Sequence, residues 1–261
     1  MTDYSILFLD IDGTILTPDD TIQNSTKEAV KQVKDKGIKV FLATGRPLHE
    51  IWDIGKELHI ESFIGYNGAY AIHQGQEVFN EPMPPKTVER FLQTAKQHGH
   101  EIILYTSKEN LLTSLEAPIV QEFIDKFHLK NNQPFTPEYM DKVLGMTVIN
   151  VKENNYMIYE DQHIHLSQVN IEGFKHSFDV IRDTVNKGVA VQTILESLSL
   201  TPEAAIAFGD GMNDKEMLSY VKEGFSMGNA HPDLHSYSKH QTTSVNDHGI
   251  FNGLKKLGLV E

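Results

Sequence analysis

Two aspartates that follow an apolar segment are the residues of this chain best suited to chemistry. The run Ser5-Ile-Leu-Phe-Leu-Asp10-Ile-Asp12 is followed by Gly13 and Thr14. A continuous apolar run that leads to a glycine predicts a buried strand of a parallel sheet. Residues two apart on a strand share a face and lie about 6.6 Å apart, so Asp10 and Asp12 can serve one site. Two neighbouring carboxylates are costly unless a cation or a reaction compensates their charge.

The elements that must position these aspartates alternate between strand and helix. Apolar strands are predicted at residues 38–43, 62–66 and 204–208, and the alternation predicts a parallel sheet with right-handed crossovers. Polar turns follow three of the predicted strands, and they contain Asp10 and Asp12, Thr44 and Gly45, and Asp210, Asn213 and Asp214. The carboxyl ends of neighbouring parallel strands meet at one edge of a sheet, where ligands bind. Lys187 begins the helix before the third of these strands, so it can reach the same edge.

The alternation is interrupted in the middle of the chain. Short antiparallel strands with polar faces are predicted at residues 156–159 and 163–169. We therefore predict an α/β protein with a Rossmann-like parallel-sheet core, formed by residues 1–81 and 183–261. Residues 82–182 are predicted to form an inserted α+β cap domain.

The composition limits the partners. The 261 residues have a net charge of −13 and no basic block, which argues against nucleic acid or an anionic membrane as a partner. The chain has no cysteine and no apolar run near 18 residues, so we expect no disulfide, thiolate metal site or membrane span. The first strand begins almost at once, which predicts no signal peptide and a cytoplasmic protein. The sequence does not predict the oligomeric state.

The set of side chains at the predicted edge is suited to phosphoryl transfer onto a carboxylate. Asp10 is predicted to be the nucleophile that forms an aspartyl-phosphate, and Asp12 the acid that later acts as a base toward water. Mg²⁺ prefers hard oxygen ligands, so we expect Asp10, Asp210 and the backbone carbonyl of Asp12 to hold it. The phosphoryl oxygens are expected to contact Lys187, Thr44 and the backbone amides of Ile11 and Gly45.

Three further residues have alternative roles in this prediction. Asp214 is expected to orient either Lys187 or a metal-bound water. Arg46 either contacts a substrate phosphate or anchors the cap. Asn67 either forms a turn or faces the cleft.

On these residues, the sequence resembles the haloacid dehalogenase superfamily of phosphotransferases. The resemblance rests on four motifs, namely Asp10-Ile-Asp12-Gly-Thr14, Thr44-Gly45-Arg46, Lys187, and Gly209-Asp210-Gly-Met-Asn213-Asp214. The place of the insertion, with Tyr66-Asn67-Gly68-Ala69 and Met227-Gly228-Asn229-Ala230, resembles the Cof-type, C2B-capped branch. This resemblance implies Mg²⁺, a mobile cap, a contact between Asn213 and phosphate, and hydrolysis of small phosphate monoesters, often sugar phosphates.

We therefore expect a Mg²⁺-dependent phosphatase of small phosphorylated metabolites. One alternative is a phosphohexomutase of the same superfamily, because similar caps serve phosphomannomutases. A mutase binds a bisphosphate, so additional arginines or lysines would be expected in its cap. The only arginines of this chain are Arg46, Arg90 and Arg182, which weakens this alternative. The other alternative is a non-catalytic phosphoacceptor or metabolite-sensing protein, although every catalytic position of the motifs is filled.

Overall fold

The computed structural model describes residues 4–169 and 173–261, with the side chains of residues 153 and 154 outside the description. The described chain divides into two units. The first unit runs to Gly45 and continues with Trp52–Phe79 and Asn186–Glu261, and the second unit consists of Arg46–Ile51 and Asn80–Val185. The predicted core range included residues 46–51, which the structure groups with the second unit. The roles of the two units as catalytic core and cap stay predictions.

The strands lie in both units. In chain order they are β1 Ile6–Leu9, β2 Lys39–Ala43, β3 Ser62–Gly65, β4 Tyr70–His73, β5 Gln76–Asn80, β6 Glu101–Tyr105, β7 Asn110–Leu112, β8 Asn132–Pro134, β9 Gly145–Ile149, β10 Ile164–Gln168, β11 Phe178–Arg182, β12 Ala205–Gly209, β13 Glu223–Ser226 and β14 His240–Gln241.

The helices lie between these strands. The α-helices are α1 Asn24–Asp35, α2 Leu48–Leu58, α3 Pro85–His98, α4 Pro118–Phe127, α5 Lys187–Ser197, α6 Lys215–Tyr220 and α7 Gly249–Lys256. Short 3₁₀ helices are found at Tyr66–Gly68, Pro137–Tyr139, Glu153–Tyr159, Pro202–Ala204, Met212–Asp214, Pro232–Tyr237 and Val245–Asp247. Among the helices of the described ranges, none is long and apolar enough to cross a membrane.

The sheet of the first unit has the strand order β14-β13-β12-β1-β2-β3-β4-β5. The pairs from β14 to β3 are parallel, and β4 then pairs with β3 antiparallel. β1 lies between β12 and β2, and every residue of Ile6–Leu9 is buried. This explains the uninterrupted apolar run, because a central parallel strand is covered on both faces. It also places the carboxyl ends of β1, β2 and β12 side by side.

The sheet of the second unit has the order β10-β11-β9-β6-β7-β8. Its pairs are antiparallel except for β7 with β8. Apolar side chains of α3, such as Phe91, belong to a core with Ile102, whereas Phe123 of α4 belongs to a second core with Ile103. Because Ile102 and Ile103 are successive residues of β6, they point to opposite faces of the sheet. The predicted α/β fold class, a parallel-sheet core with an inserted α+β domain, is confirmed.

One predicted strand is wrong. Residues 156–159 lie in the 3₁₀ helix Glu153–Tyr159 instead. Tyr159 is fully buried, its hydroxyl hydrogen bonds to Nδ1 of His100 at 2.9 Å, and its ring stacks on Phe91. These partners are distant in sequence, so local alternation did not reveal them. The strand predicted at residues 163–169 is present as β10.

Candidate active site

The two aspartates at the end of β1 lie in different environments. β1 ends at Leu9, and the backbone N–H of Asp10 still donates to the carbonyl of Phe208 at 3.1 Å. This bond extends the pairing with β12 by one residue and holds Asp10 in the interior, where it is 4% exposed. Asp12 lies beyond the strand and is exposed. Asp10 is therefore a fixed group, and Asp12 is open to solvent.

Lys187 is the buried cation of the site. It begins α5, whose first turn is capped by the side chain of Asn186, which accepts a hydrogen bond from the N–H of Val189 at 3.0 Å. The Lys187 ammonium is 0% exposed and donates to Oδ1 of Asp10 and to Oδ1 of Asp214, each at 2.6 Å. Burial lowers the pKa of Lys187, but the two carboxylates outweigh burial and raise it above its ordinary value. Lys187 is therefore charged at neutral pH.

Asp214 connects Lys187 to the turn after β12. It ends the 3₁₀ helix Met212–Asp214 and is fully buried. Its Oδ2 accepts hydrogen bonds from the backbone N–H groups of Asp210 at 3.0 Å and Gly211 at 3.1 Å. Of the two alternatives predicted for Asp214, the structure contains the contact with Lys187.

The carboxylates of this site can hold a metal ion. Asp10, Asp210 and Asp214 each offer an oxygen, and these oxygens lie within 4.8 Å of one another. Both oxygens of Asp214 are already hydrogen-bonded, which leaves Asp10 and Asp210 as the available ligands. Within the described residues, the buried Oδ2 of Asp10 has no hydrogen-bond donor. Hard oxygens and an unpartnered carboxylate oxygen fit Mg²⁺.

The pKa values of this carboxylate cluster indicate an excess of negative charge. Burial, followed by the charge of Asp214, raises the pKa of Asp10 well above its ordinary value despite the opposite effect of Lys187. The same two causes raise the pKa of Asp210 to about 7. A divalent cation would offset this repulsion and favour the ionised carboxylates.

Three of the predicted phosphate-binding residues, Ile11, Thr44 and Gly45, follow the ends of β1 and β2. Thr44 is 1% exposed, its N–H donates to the carbonyl of Ile64 at 2.9 Å, and its carbonyl accepts from the N–H of Asn67. Gly45 is exposed. Ile11 is buried, and its carbonyl accepts from the backbone N–H groups of the turn that follows β1. Contacts of these residues with a phosphoryl group stay predictions.

Asn67 and Asn213 meet in the first unit. Nδ2 of Asn213 donates to Oδ1 of Asn67 at 2.9 Å. Asn67 also has a left-handed φ of 53°, so it is a turn residue whose side chain contacts the predicted phosphate ligand Asn213. The other predicted site residues lie in the first unit as well, except Arg46, which belongs to the second unit.

Two residues next to Asp210 were not predicted to act at the site. Nδ2 of Asn229 donates to the carbonyl of Gly13 at 2.8 Å and to Oδ2 of Asp210 at 3.3 Å. Gly13 has a φ of +78°, and a Cβ placed on it would lie 2.1 Å from Oδ2 of Asp210. The signal in the sequence that could have identified Gly13 and Asn229 is their position shortly after the ends of β1 and β13.

The comparisons with known proteins identify the family of this chain. Residues 7–254 match the family profile described as haloacid dehalogenase-like hydrolase, so the chain belongs to this family. The Bacillus subtilis protein named "Putative phosphatase YkrA" is 30% identical, and the alignment covers 99% of this chain and 100% of YkrA.

Two solved structures are also similar. A hypothetical protein from Geobacillus kaustophilus HTA426 has a TM-score of 0.89 at 28% identity, covering 98% of this chain and 100% of that one. The HAD subclass IIB sugar phosphatase BT4131 has a TM-score of 0.84 at 24% identity, with the same two coverages. At this identity the likeness to BT4131 is one of fold. The predicted family and the predicted enzyme class, a hydrolase of the phosphatase type, are confirmed.

Proposed function

We propose that this protein is a Mg²⁺-dependent phosphatase that hydrolyses small phosphorylated metabolites, in particular sugar phosphates, through an aspartyl-phosphate. The observation that carries the proposal is the environment of Asp10. One oxygen of this buried carboxylate contacts the Lys187 ammonium at 2.6 Å, and the other has no hydrogen-bond donor among the described residues. A carboxylate held in this way is oriented for attack while one oxygen stays available. The likeness in fold to the sugar phosphatase BT4131 supports the substrate class.

The reaction follows from the side chains in two steps. In the first step an oxygen of Asp10 forms a bond to phosphorus, and the bond from phosphorus to the ester oxygen breaks. Asp12, which is exposed beside the site, gives its proton to the leaving alkoxide. In the second step Asp12 takes a proton from water, the water oxygen attacks phosphorus, and the Asp10 carboxylate and inorganic phosphate are released.

The remaining residues bind and orient. Lys187 is placed to neutralise phosphoryl oxygens, together with Thr44 and the backbone N–H groups of Ile11 and Gly45. Asn213 would contact the phosphate from the 3₁₀ helix Met212–Asp214, which follows β12. Asp10, Asp210 and the carbonyl of Asp12 would hold Mg²⁺, which supplies positive charge that offsets the repulsion between the carboxylates and a phosphate dianion.

The proposal is tested by release of inorganic phosphate from a panel of phosphorylated sugars, nucleotides and cofactors, with Mg²⁺ and with a chelator. We expect Mg²⁺-dependent release that is highest for sugar phosphates. The Asp10→Asn variant is expected to fall to less than about one-thousandth of this rate, because an amide cannot form the acyl phosphate. Asp19→Asn, which changes an exposed aspartate of the same unit, is the matched control and should keep the wild-type rate.

Each other outcome has a defined meaning. Equal release by Asp10→Asn and Asp19→Asn would contradict the role of Asp10. Release that persists in chelator would contradict the metal dependence. Phosphorylation of Asp10 without phosphate release would instead indicate the mutase or the phosphoacceptor alternative.

A further inference from the structure

Asn229 lies where three segments of the first unit meet. It follows β13 by three residues, and the preceding Met227 continues the sheet by donating its N–H to the carbonyl of Gly209 at 3.0 Å. Asn229 is exposed, so its side chain is not required to fill the core. Both polar atoms of its side chain nevertheless form hydrogen bonds, Oδ1 as an acceptor and Nδ2 as a donor.

One end of the Asn229 side chain is anchored to the backbone. Its Oδ1 accepts a hydrogen bond from the N–H of Val245 at 2.8 Å. This anchor fixes the amide plane, so that Nδ2 points away from Val245. Nδ2 donates to the carbonyl of Gly13 at 2.8 Å and to Oδ2 of Asp210 at 3.3 Å. The side chain thus joins the loop after β1, the loop after β12 and the segment before α7.

The contact with Asp210 matters because this carboxylate belongs to the cluster that can hold a metal ion. Asp210 is one of the two carboxylates that remain available for a cation, with Asp10 as the other. A carboxylate that rotates freely loses entropy when it binds a metal, whereas one held by an outer hydrogen bond is already oriented. The donor is a neutral amide, so it orients the carboxylate without cancelling the charge that attracts the cation.

We propose that Asn229 is a positioning residue, which holds Asp210 in the orientation that binds the divalent cation. This inference rests on the Mg²⁺ dependence of the proposed function. It predicts that loss of the Asn229 amide weakens Mg²⁺ binding, whereas the chemical step at saturating Mg²⁺ changes little.

The test is isothermal titration of Mg²⁺ into the full-length, metal-free protein. We expect Asn229→Ala to raise the Kd for Mg²⁺ by about 10- to 100-fold, the usual effect of removing an outer partner of a metal ligand. Asn252→Ala is the matched control. Asn252 donates to Oγ1 of Thr243 at 2.9 Å and to the carbonyl of Asp247 at 3.0 Å, in the same part of the unit but away from Asp210. Its Kd should stay within about twofold of wild type.

A second readout separates positioning from a loss of structure. In steady-state assays, Asn229→Ala should need more Mg²⁺ for half-maximal rate while kcat at saturating Mg²⁺ stays close to wild type. If the alanine variant does not fold, Asn229→Gln keeps the amide but displaces it by one methylene, and it should also raise the Kd.

The outcomes distinguish this inference from the proposed function. If wild type binds Mg²⁺ and the folded Asn229 variants bind it equally well, Asn229 does not position Asp210 and the inference is overturned. If wild type itself binds no Mg²⁺, the metal dependence of the proposed function fails and the inference fails with it. If binding weakens as expected but wild type releases no phosphate from any substrate, the phosphatase proposal fails while the role of Asn229 stands.

Discussion

Replacing Lys187 by methionine removes the positive charge of the site while keeping a long, unbranched side chain. The ammonium is fully buried and lies 2.6 Å from a carboxylate oxygen of Asp10 and 2.6 Å from one of Asp214. In Lys187→Met these two carboxylates lose their common partner and face each other, with Asp210 nearby. We expect the folded protein to be destabilised because buried charge is left without compensation.

The size of this effect follows from the burial of the groups. Removing one partner of a buried ion pair costs about 3–5 kcal/mol, because the other charge stays buried. For a chain of this size, 1 kcal/mol corresponds to a shift of about 2–4 °C in the unfolding midpoint. Lys187→Met should therefore unfold roughly 10 °C below wild type at pH 7 in the presence of a chelator.

Two conditions should reduce the loss of stability in Lys187→Met. Lowering the pH protonates Asp10, which has lost its cationic partner. The Lys187 charge that lowers the pKa of Asp10 is absent in the variant, so this pKa rises further, the folded state binds more protons than the unfolded state, and the variant gains stability as the pH falls. Mg²⁺ bound as proposed would supply positive charge at the same place, so it should raise the midpoint of Lys187→Met as well.

The assay is thermal unfolding followed by circular dichroism at pH 5 and pH 7, with chelator or with Mg²⁺. Lys215→Met is the control, because the Lys215 side chain is 41% exposed and its Nζ lies 3.5 Å from Oε1 of Glu216. Surface substitutions of this kind change stability by less than about 0.5 kcal/mol. Equal midpoints for Lys187→Met and Lys215→Met at pH 7 in chelator would refute the reasoning.

Two further predictions concern a glycine of the first motif and a glutamate of the second unit. Gly13→Ala places a Cβ 2.1 Å from Oδ2 of Asp210, so that carboxylate must move, and we expect half-maximal turnover to need about 10- to 100-fold more Mg²⁺. Gly37→Ala is the control, because Gly37 also has a positive φ, +82°, but no atom lies within 4 Å of the added Cβ. It should keep the wild-type Mg²⁺ requirement. Equal Mg²⁺ requirements in the two variants would contradict the prediction. In the second unit, burial raises the pKa of Glu50 from 4.5 to about 7, although the Asn110 amide that donates to it at 3.0 Å lowers it. The folded state then binds the extra proton, so the stabilisation is fully present below pH 4.5 and is lost as the pH rises through 7, by up to about 3 kcal/mol. Glu50→Gln should therefore raise the urea midpoint relative to wild type at pH 8 but not at pH 4.5, and an equal difference at both pH values would exclude this account.

The sequence was sufficient to predict the location of the residues that follow buried parallel strands. Asp10 and Asp214 were assigned from their motifs, and both contact Lys187 in the structure. The reason is that a parallel sheet brings the ends of sequence-distant strands to one edge, so the position of a residue after an apolar run predicts its location. The same logic does not reveal which partner each side chain chooses, and for Asp214 the sequence left two alternatives open.

The second unit was less predictable because its elements depend on distant contacts. The 3₁₀ helix that ends at Tyr159 was predicted as a strand, since the short apolar run at residues 156–159 fits both structures. Its conformation is stabilised by Phe91 and His100, which lie on α3 and just after it. Likewise, the sequence did not indicate that residues 46–51 group with this unit. His49 and Glu50 both hydrogen bond to Asn110, a fully buried residue of β7 that local patterns do not identify.

The charges of the site explain why a neutral residue stands next to Asp210. Lys187 contacts Asp10 and Asp214, and these contacts compensate two carboxylates with one cation. Asp210 receives a hydrogen bond from the uncharged amide of Asn229, so its negative charge persists when it is ionised. A lysine in the place of Asn229 would cancel that charge and remove the attraction for a divalent cation. A phosphate dianion, in turn, can approach Asp10 only when added positive charge outweighs the carboxylates. Under the proposed function, the neutral donor would therefore keep the site dependent on a metal, and the Mg²⁺ titration of the Asn229 variants tests this dependence.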